Sequence, residues 1–438
     1  MAKVALVCPA KKSIPKPPLN LAYIASYLEK NNTDVVIIDR IAGQDVEKEL
    51  IKHNPEFVGL TAMTPWAPDA YEVAKFVREN LKAKVIMGGV HSNIMTEEAL
   101  EHVDIVVKGE GEKAMLDIVQ NKIDSRIVSL PYIKNLDELP MPAYHMLDMD
   151  FYLSDKDAII GLKIDRVATM ITSRGCPYRC FYCYNSKHPA PVQYHSPERV
   201  FNEIKYLKGK YNIKGITFLD DEFVSNRRRI REICELMIKE GLNTIRWECQ
   251  ANSKFADLDL FILMHKAGCV SMQFGFESGS QRILDFLKKG KNTVKENRTA
   301  VQICNEAGIK VRGLFMMGSP TETLEDIKAT ERFIDENDIG YVEIYMTLPL
   351  PGSELWEWSI EHNIIPDDID YSKMTFAEGG VIACDTIDWD VIRAKHRELR
   401  GKLAMRNFSK KELIMRSIKN PHLVLKYGLS MIKSKFKK

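Results

Sequence analysis

The chain lacks an excess of either charge. Its 62 Lys and Arg stand against 60 Asp and Glu, a formal net charge of +2 over 438 residues. A surface that gathers nucleic acid by a global field is thereby excluded, and no nucleic-acid partner is expected. Long hydrophobic runs are also missing: none reaches about 18 residues, so no transmembrane helix is expected. The opening Met1–Pro9 is too short for the apolar core of a secretory signal and reads as a strand. Nine cysteines show no disulfide-like pattern, which suits a reducing compartment and points to the cytoplasm. What remains is an ordinary globular composition, 45% hydrophobic, long enough for roughly two or three domains.

One stretch concentrates the chemistry. Thr172-Ser173-Arg174-Gly175-Cys176-Pro177-Tyr178-Arg179-Cys180-Phe181-Tyr182-Cys183 sets three cysteines at C-x3-C-x2-C, in a turn-like segment after a strand-like run from Val167 to Ile171. Thiolates are soft ligands suited to zinc or to iron–sulfur clusters. Zinc sites usually show paired ligands, four in all, whereas here the local set is three and no second close pair follows. Three ligands on a four-iron cluster leave one iron open to a substrate or cofactor.

This run, with Tyr182 before the third cysteine, resembles the signature of radical S-adenosylmethionine (SAM) enzymes. The resemblance implies a [4Fe–4S] cluster on Cys176, Cys180 and Cys183. It also implies SAM bound by its amino and carboxylate groups to the open iron, and reductive cleavage to a 5′-deoxyadenosyl radical. A zinc knuckle is the alternative reading.

The first third alternates β-branched runs with helical spacing. Strands are expected near residues 3–10, 34–40, 57–61, 84–87 and 104–107, the last ending in Gly109-Glu110-Gly111-Glu112. Such runs argue a parallel sheet covered on both faces, a doubly wound α/β domain binding ligands at its strand ends. The segment resembles the cobalamin-binding domain that precedes many radical SAM enzymes. The resemblance rests on Pro17 to Tyr23, the Thr61 to Pro65 loop, Gly88-Gly89-Val90-His91 and Gly109 to Glu112. It implies cobalamin contacts at Thr61, Gly88, Gly89, His91, Glu110 and Gly111. The D-x-H-x-x-G motif of cobalt-ligating histidines is absent, so a bound corrin is expected with its own base displaced and no histidine on cobalt. A sheet that binds nothing is the other reading.

The domains are placed at 1–125 (cobalamin-binding-like), 126–165 (an ordered linker with spaced prolines), 166–365 (the barrel) and 366–438 (a helical extension). From Val167 six strand–helix units repeat, a partial (β/α)6 barrel as in the radical SAM fold, with chemistry expected at the carboxyl ends of the strands. The resemblance then implies SAM contacts at Tyr182 and at later strand ends. These are Asp221 and Glu222, Glu248, the Glu277-Ser278 pair near the ribose, and Gly313 where adenine approaches. For Asp221 and Glu222 the other reading is a helix N-terminal acid pair. Cys234 and Cys304 read as packing; Cys249, Cys269 and Cys384 can approach the barrel mouth or lie buried and inert.

Residues 409–438 hold nine Lys or Arg and one acid, interleaved with apolar residues. This basic amphipathic pattern suits either peripheral contact with the inner membrane face or a solvated helix over the barrel. Taken together, the resemblance implies cobalamin-dependent methylation of an unactivated carbon. One SAM methylates the corrin, a second yields the radical, and the substrate radical takes the methyl. The partners are a small-molecule or lipid substrate and an external electron donor. Alternatives are oxidative cyclisation or rearrangement with the same cofactors, and a non-catalytic cobalamin or iron–sulfur sensor. A methylthiotransferase-like reading is disfavoured, because Cys8 is the sole cysteine of the first domain.

Overall fold

Short β-branched runs at the start of the chain pair into one parallel sheet, seen in a computed structural model that describes residues 3–155, 158–366, 369–374 and 380–407. Its strands are β1 (Val4–Cys8), β2 (Val35–Asp39), β3 (Phe57–Thr61), β4 (Lys84–Gly88), β5 (Ile105–Lys108) and β6 (Ile127–Ser129), in the order β2-β1-β3-β4-β5-β6. The strand direction of growth reverses between β1 and β3, and that switch point is where open α/β sheets bind ligands. Helix Leu19–Lys30 lays Leu21, Ala22, Ala25 and Leu28 on the sheet, spaced for one helical face.

β6 corrects the expected linker. It pairs with β5 in the register Val106↔Ile127, Val107↔Val128 and Lys108↔Ser129, so the first sheet runs past residue 125. Only Val128 of its three residues is buried, which left little pattern to read. The segment beyond it is stitched to both domains. The Tyr144 hydroxyl, fully buried, donates to Glu203 Oε1 at 2.6 Å, and the Tyr152 hydroxyl donates to buried Asp39 at the end of β2.

The second sheet contains β7 (Val167–Met170), β10 (Gly215–Phe218), β11 (Arg246–Ala251), β12 (Cys269–Glu277), β13 (Lys310–Met317) and β14 (Tyr341–Met346), all parallel and laid side by side in chain order. Each is followed by a helix, which gives the six units expected of a partial barrel. Between β7 and β10 a small antiparallel pair, β8 (Ser173–Arg174) with β9 (Gln193–Tyr194), closes the base of the cysteine loop. Alternate residues Trp247 and Cys249 of β11, Phe274 and Phe276 of β12, and Val311 and Phe315 of β13 pack in the helix-side core. The opposite face carries Thr217, Glu248, Ser271, Gln273 and Arg312.

Helix Trp389–Asn407 covers the edge strand β14. Its Asn407 side chain pairs with both backbone groups of Val342, which blunts an open sheet edge. The basic run at 409–438 lies outside the described residues. Among the described residues no helix is long and apolar enough to cross a membrane.

Candidate active site at two sets of strand ends

The cysteine loop begins where β7 ends. Its entry is pinned by Asp220, fully buried at the end of β10. The Asp220 carboxylate accepts from Thr172 N at 3.1 Å, Thr172 Oγ1 at 2.8 Å and the Ser173 hydroxyl. Gly175 then turns with φ +80°, and a Cβ there would lie 2.6 Å from the Pro191 carbonyl oxygen, so only glycine fits. Within the loop, the buried Asn185 amide donates at 2.7 Å to the carbonyls of both Cys176 and Tyr178. Phe181 N donates to Leu287 O at 2.9 Å, which ties the loop to the helix after β12.

Cys176, Cys180 and Cys183 are half-buried. Burial raises all three thiols, Cys176 to about 12. They are therefore neutral until a metal displaces their protons. Among the described residues no three Cys, His, Asp or Glu side chains close on one ion-sized point. A four-iron cluster does not ask this of them, since each thiolate binds its own iron.

The three acids after β10 part company. Asp220 is structural, as above. Asp221 is exposed and lines a cavity with Gly175 and Arg174. Glu222 is buried and accepts from Asn252 N at 2.7 Å and Val224 N at 3.2 Å. Burial raises its carboxyl to about 7.

Glu277, at the end of β12, has φ +61° in a non-glycine residue, a strained setting that its neighbours impose. Its Oε1 accepts from the Tyr182 hydroxyl at 2.6 Å and meets Lys288 Nζ at 3.0 Å. The Lys288 ammonium also lies 6.0 Å from the Tyr182 ring centre. Buried Lys288, Glu277 and the tyrosine inside the cysteine motif thus form one unit beside the loop.

Three further residues expected at SAM, Ser278, Gly313 and Glu248, have the following surroundings. Ser278 is buried against the helix layer: its Oγ meets Thr330 Oγ1 at 3.2 Å and accepts from Ser280 N. Gly313 lies on the core side of β13, where a Cβ would meet Phe276, Phe315 and Ile339, each at 3.1 Å; its small size serves packing. Glu248 lies inside β11 beside Thr217 and Ser271, before the strand end. It is 1% exposed, and its Oε2 has no partner among the described residues. Burial raises its carboxyl, with Arg312 the strongest opposing charge. Cys249, Cys269 and Cys384 are all buried.

The first sheet ends differently. At the switch point a slot of about 150 Å³ runs among Leu6, Gly59, Leu60, Ile86 and Val107 of the strands and Leu21, Ile24 and Met115 of the helices. Thr61, Gly88, Gly89 and Gly111 also line it. The Asn20 amide donates to Thr61 Oγ1 at 2.8 Å at its polar end. Glycines keep the slot open: a Cβ on Gly111 would reach Ile24 at 2.7 Å. An apolar, glycine-walled slot suits the flat base of a large cofactor. His91 departs from expectation. Fully buried, it meets the Tyr71 hydroxyl at 2.9 Å and packs edge-on to Tyr371, and it does not line the slot. Glu110 lines the neighbouring cavity but is taken up by Arg174, at 2.6 Å.

That cavity, about 310 Å³, joins the two regions. Tyr23, Gly109, Glu110, Gly111 and Glu112 of the first domain line it, together with Ser173, Arg174, Gly175 and Asp221 of the second. Asn185, Lys288 and Arg174 are the additions that sequence reading missed. Arg174 stands within the motif. Asn185 stands two residues past it, and Lys288 closes a helix whose pattern reads as packing.

Comparisons with known proteins fall on the same two regions. The model of the radical SAM superfamily matches residues 170–334, and that of the B12 binding domain matches 15–119. An uncharacterized methyltransferase of Pyrococcus horikoshii is 35% identical, over 83% of this chain and 84% of its own length. The anaerobic magnesium-protoporphyrin IX monomethyl ester cyclase of Rubrivivax gelatinosus is 27% identical, over 78% of this chain and 66% of its own length. Among solved structures, the cobalamin-dependent SAM radical enzyme OxsB, with aqua-cobalamin and SAM bound, superposes with a TM-score of 0.74 at 18% identity, over 91% of this chain and 66% of that one. The methyltransferase TsrM of Kitasatospora setae, with cobalamin and a [4Fe–4S] cluster bound, superposes at 0.65 and 19% identity, over 81% and 77%. These two likenesses establish the fold. With both domain matches in place and the Pyrococcus relative spanning them, the chain belongs to the radical SAM superfamily, in the branch that carries a B12-binding domain.

Proposed function

We propose that this chain is a cobalamin-dependent radical SAM methyltransferase that methylates a carbon of a small molecule. The observation that carries the reading is the shared cavity: the glycine loops of the first sheet and the cysteine loop of the second line one space. Cys176, Cys180 and Cys183 would hold the cluster. Bound together, the cluster and SAM supply a carbon radical, and the corrin supplies a transferable methyl group.

The chain's own residues orient and screen. Tyr182 and Lys288 fix the Glu277 carboxylate beside the loop, where it suits the hydroxyls of a ribose. The buried Lys288 ammonium also suits a ligand carboxylate near the cluster. Asp221, exposed to the cavity, suits an ammonium. The slot at the switch point, walled by Gly59, Gly88, Gly89 and Gly111, would hold the displaced base of a corrin. An external donor supplies the electron.

The test is anaerobic, with cluster-reconstituted protein, hydroxocobalamin, reductant and SAM labelled in its methyl group. Formation of 5′-deoxyadenosine together with a base-displaced corrin spectrum and label on the corrin supports the reading. Cleavage with no corrin bound removes methyl transfer. Cleavage with bound but never-labelled corrin favours the second reading, oxidative cyclisation, which the cyclase relatives motivate. Wild type indistinguishable from Cys176→Ala, with no iron held, contradicts both.

A further inference from the structure

Arg174, two positions before Cys176, joins the two cofactor regions. One arm of its guanidinium meets Glu110 Oε1 at 2.6 Å and the other meets Glu112 Oε1 at 2.5 Å. The three side chains are only 24%, 12% and 4% exposed, so water screens the pairing weakly. The guanidinium also lies 5.4 Å over the Tyr23 ring, another residue of the first domain.

Both ends of this contact are mechanically committed. The Arg174 backbone pairs with Gln193 in the β8–β9 closure, and the tight Gly175 turn follows at once. Its side-chain position therefore bears on the start of the cysteine loop. On the other side, Glu110 and Glu112 flank Gly111, which lines the slot, and Gly109 holds φ +85° just before them. Glu110 also accepts from Ile133 N at 2.5 Å, in the segment between the domains. Without the arginine, two nearby carboxylates lose their shared cation and repel. Any ligand that fixes the Gly109–Gly111 turn thereby sharpens the fork that Arg174 enters.

We propose that Arg174 is a positioning residue that couples corrin binding in the first domain to cluster binding on the cysteine loop. The proposal rests on the functional reading above, since it needs both cofactors. By reciprocity, the cluster must then tighten corrin binding by the factor by which corrin tightens the cluster. A plain structural tie between domains moves stability and leaves that factor at one.

The experiment titrates hydroxocobalamin into full-length protein with and without its reconstituted cluster and follows corrin absorbance. The expected ratio of dissociation constants in wild type is at least about fivefold, the low end of ordinary coupling. Arg174→Gln brings the ratio toward one. Arg174→Lys, which keeps the charge and loses the fork, falls between. As a second readout, bound corrin slows loss of iron to a chelator in the wild type and does not in Arg174→Gln. A wild-type ratio of one overturns the proposal, as does a wild-type ratio retained in an Arg174→Gln protein that holds iron. If Arg174→Gln fails to fold, Glu110→Gln, which spares the Glu112 contact, is read in the same way: a reduced ratio supports the coupling and an unchanged one overturns it. Failure of the functional reading looks different, because wild type then holds no iron or binds no corrin at all.

Discussion

The two sheets end in opposite chemistry. The first offers glycines and aliphatic side chains around a narrow slot, with polarity confined to Asn20 and Thr61. The second offers thiols, three consecutive acids and a buried Glu277–Lys288 pair. A neutral planar group needs shape and pays little for desolvation, so glycines and aliphatics suffice. A charged cluster and a zwitterionic ligand need compensating charges placed in advance. The contrast teaches that each sheet is built for a different kind of cofactor, and it can be broken one surface at a time.

The largest effect is expected at the thiols. Cys176→Ala removes one of three cluster ligands, and SAM cleavage should fall by more than about a thousandfold, of the size seen when a main catalytic group is lost. Corrin binding to the first domain should survive, with affinity reduced by no more than the coupling factor. Iron analysis and 5′-deoxyadenosine chromatography check the first part; corrin absorbance checks the second.

Next comes the buried pair. Lys288→Met leaves the Glu277 carboxylate buried without its cation and should destabilise the protein by roughly 3–5 kcal/mol. Lys288→Met with Glu277→Gln together should recover much of that loss. Chemical denaturation of the cluster-free forms measures both. A Lys288→Met protein as stable as wild type would show that the charge at this sheet end is not compensated in the way described.

A pH-dependent term follows from Glu222. Its carboxyl titrates at about 7 when folded, because it is buried, against an ordinary 4.5. The folded state therefore binds the extra proton between these values. Stability from this group is fullest below pH 4.5 and declines as pH rises to 7, by about 3 kcal/mol in all. Glu222→Gln should flatten that part of the profile of the cluster-free protein between pH 5 and pH 8. An unchanged slope would place the proton elsewhere.

The smallest effect belongs to the slot. Gly111→Leu narrows it and should weaken hydroxocobalamin binding by roughly tenfold, about 1.4 kcal/mol. Iron content should stay at the wild-type level. Loss of iron with corrin binding intact would reverse the division of labour between the sheets.

Much of the fold was legible because its signals were local. β3 falls at Phe57–Thr61 as its apolar run indicates, and the cysteine loop follows β7 as expected. The site was less legible where a residue's face mattered. β13 alternates Lys310, Arg312, Leu314 and Met316 against Val311, Gly313, Phe315 and Met317, so a period of two sets Gly313 on the apolar, core side, which the strand read as a whole does not separate. On β12 the same period makes Phe274 and Phe276 core, but it ends at Glu277, whose φ is +61°, and Ser278 beyond it reaches the helix layer through Thr330. Glu248 carries a strand-end signature but sits within β11, because that strand runs on to Ala251. Lys288 and Asn185 were beyond reach, since their roles depend on contacts that only the folded loop creates.

The claim that both cofactors share one cavity is tested most directly by spin relaxation. Wild-type protein is loaded with its cluster and with cob(II)alamin, and the cobalt signal is followed with the cluster oxidised and then reduced. Enhanced relaxation of the cobalt spin on cluster reduction, absent in Cys176→Ala, is the result expected of two centres at the mouth of the same space. Cobalt relaxation that ignores the oxidation state of the cluster in wild type would place the two sites apart and contradict the account.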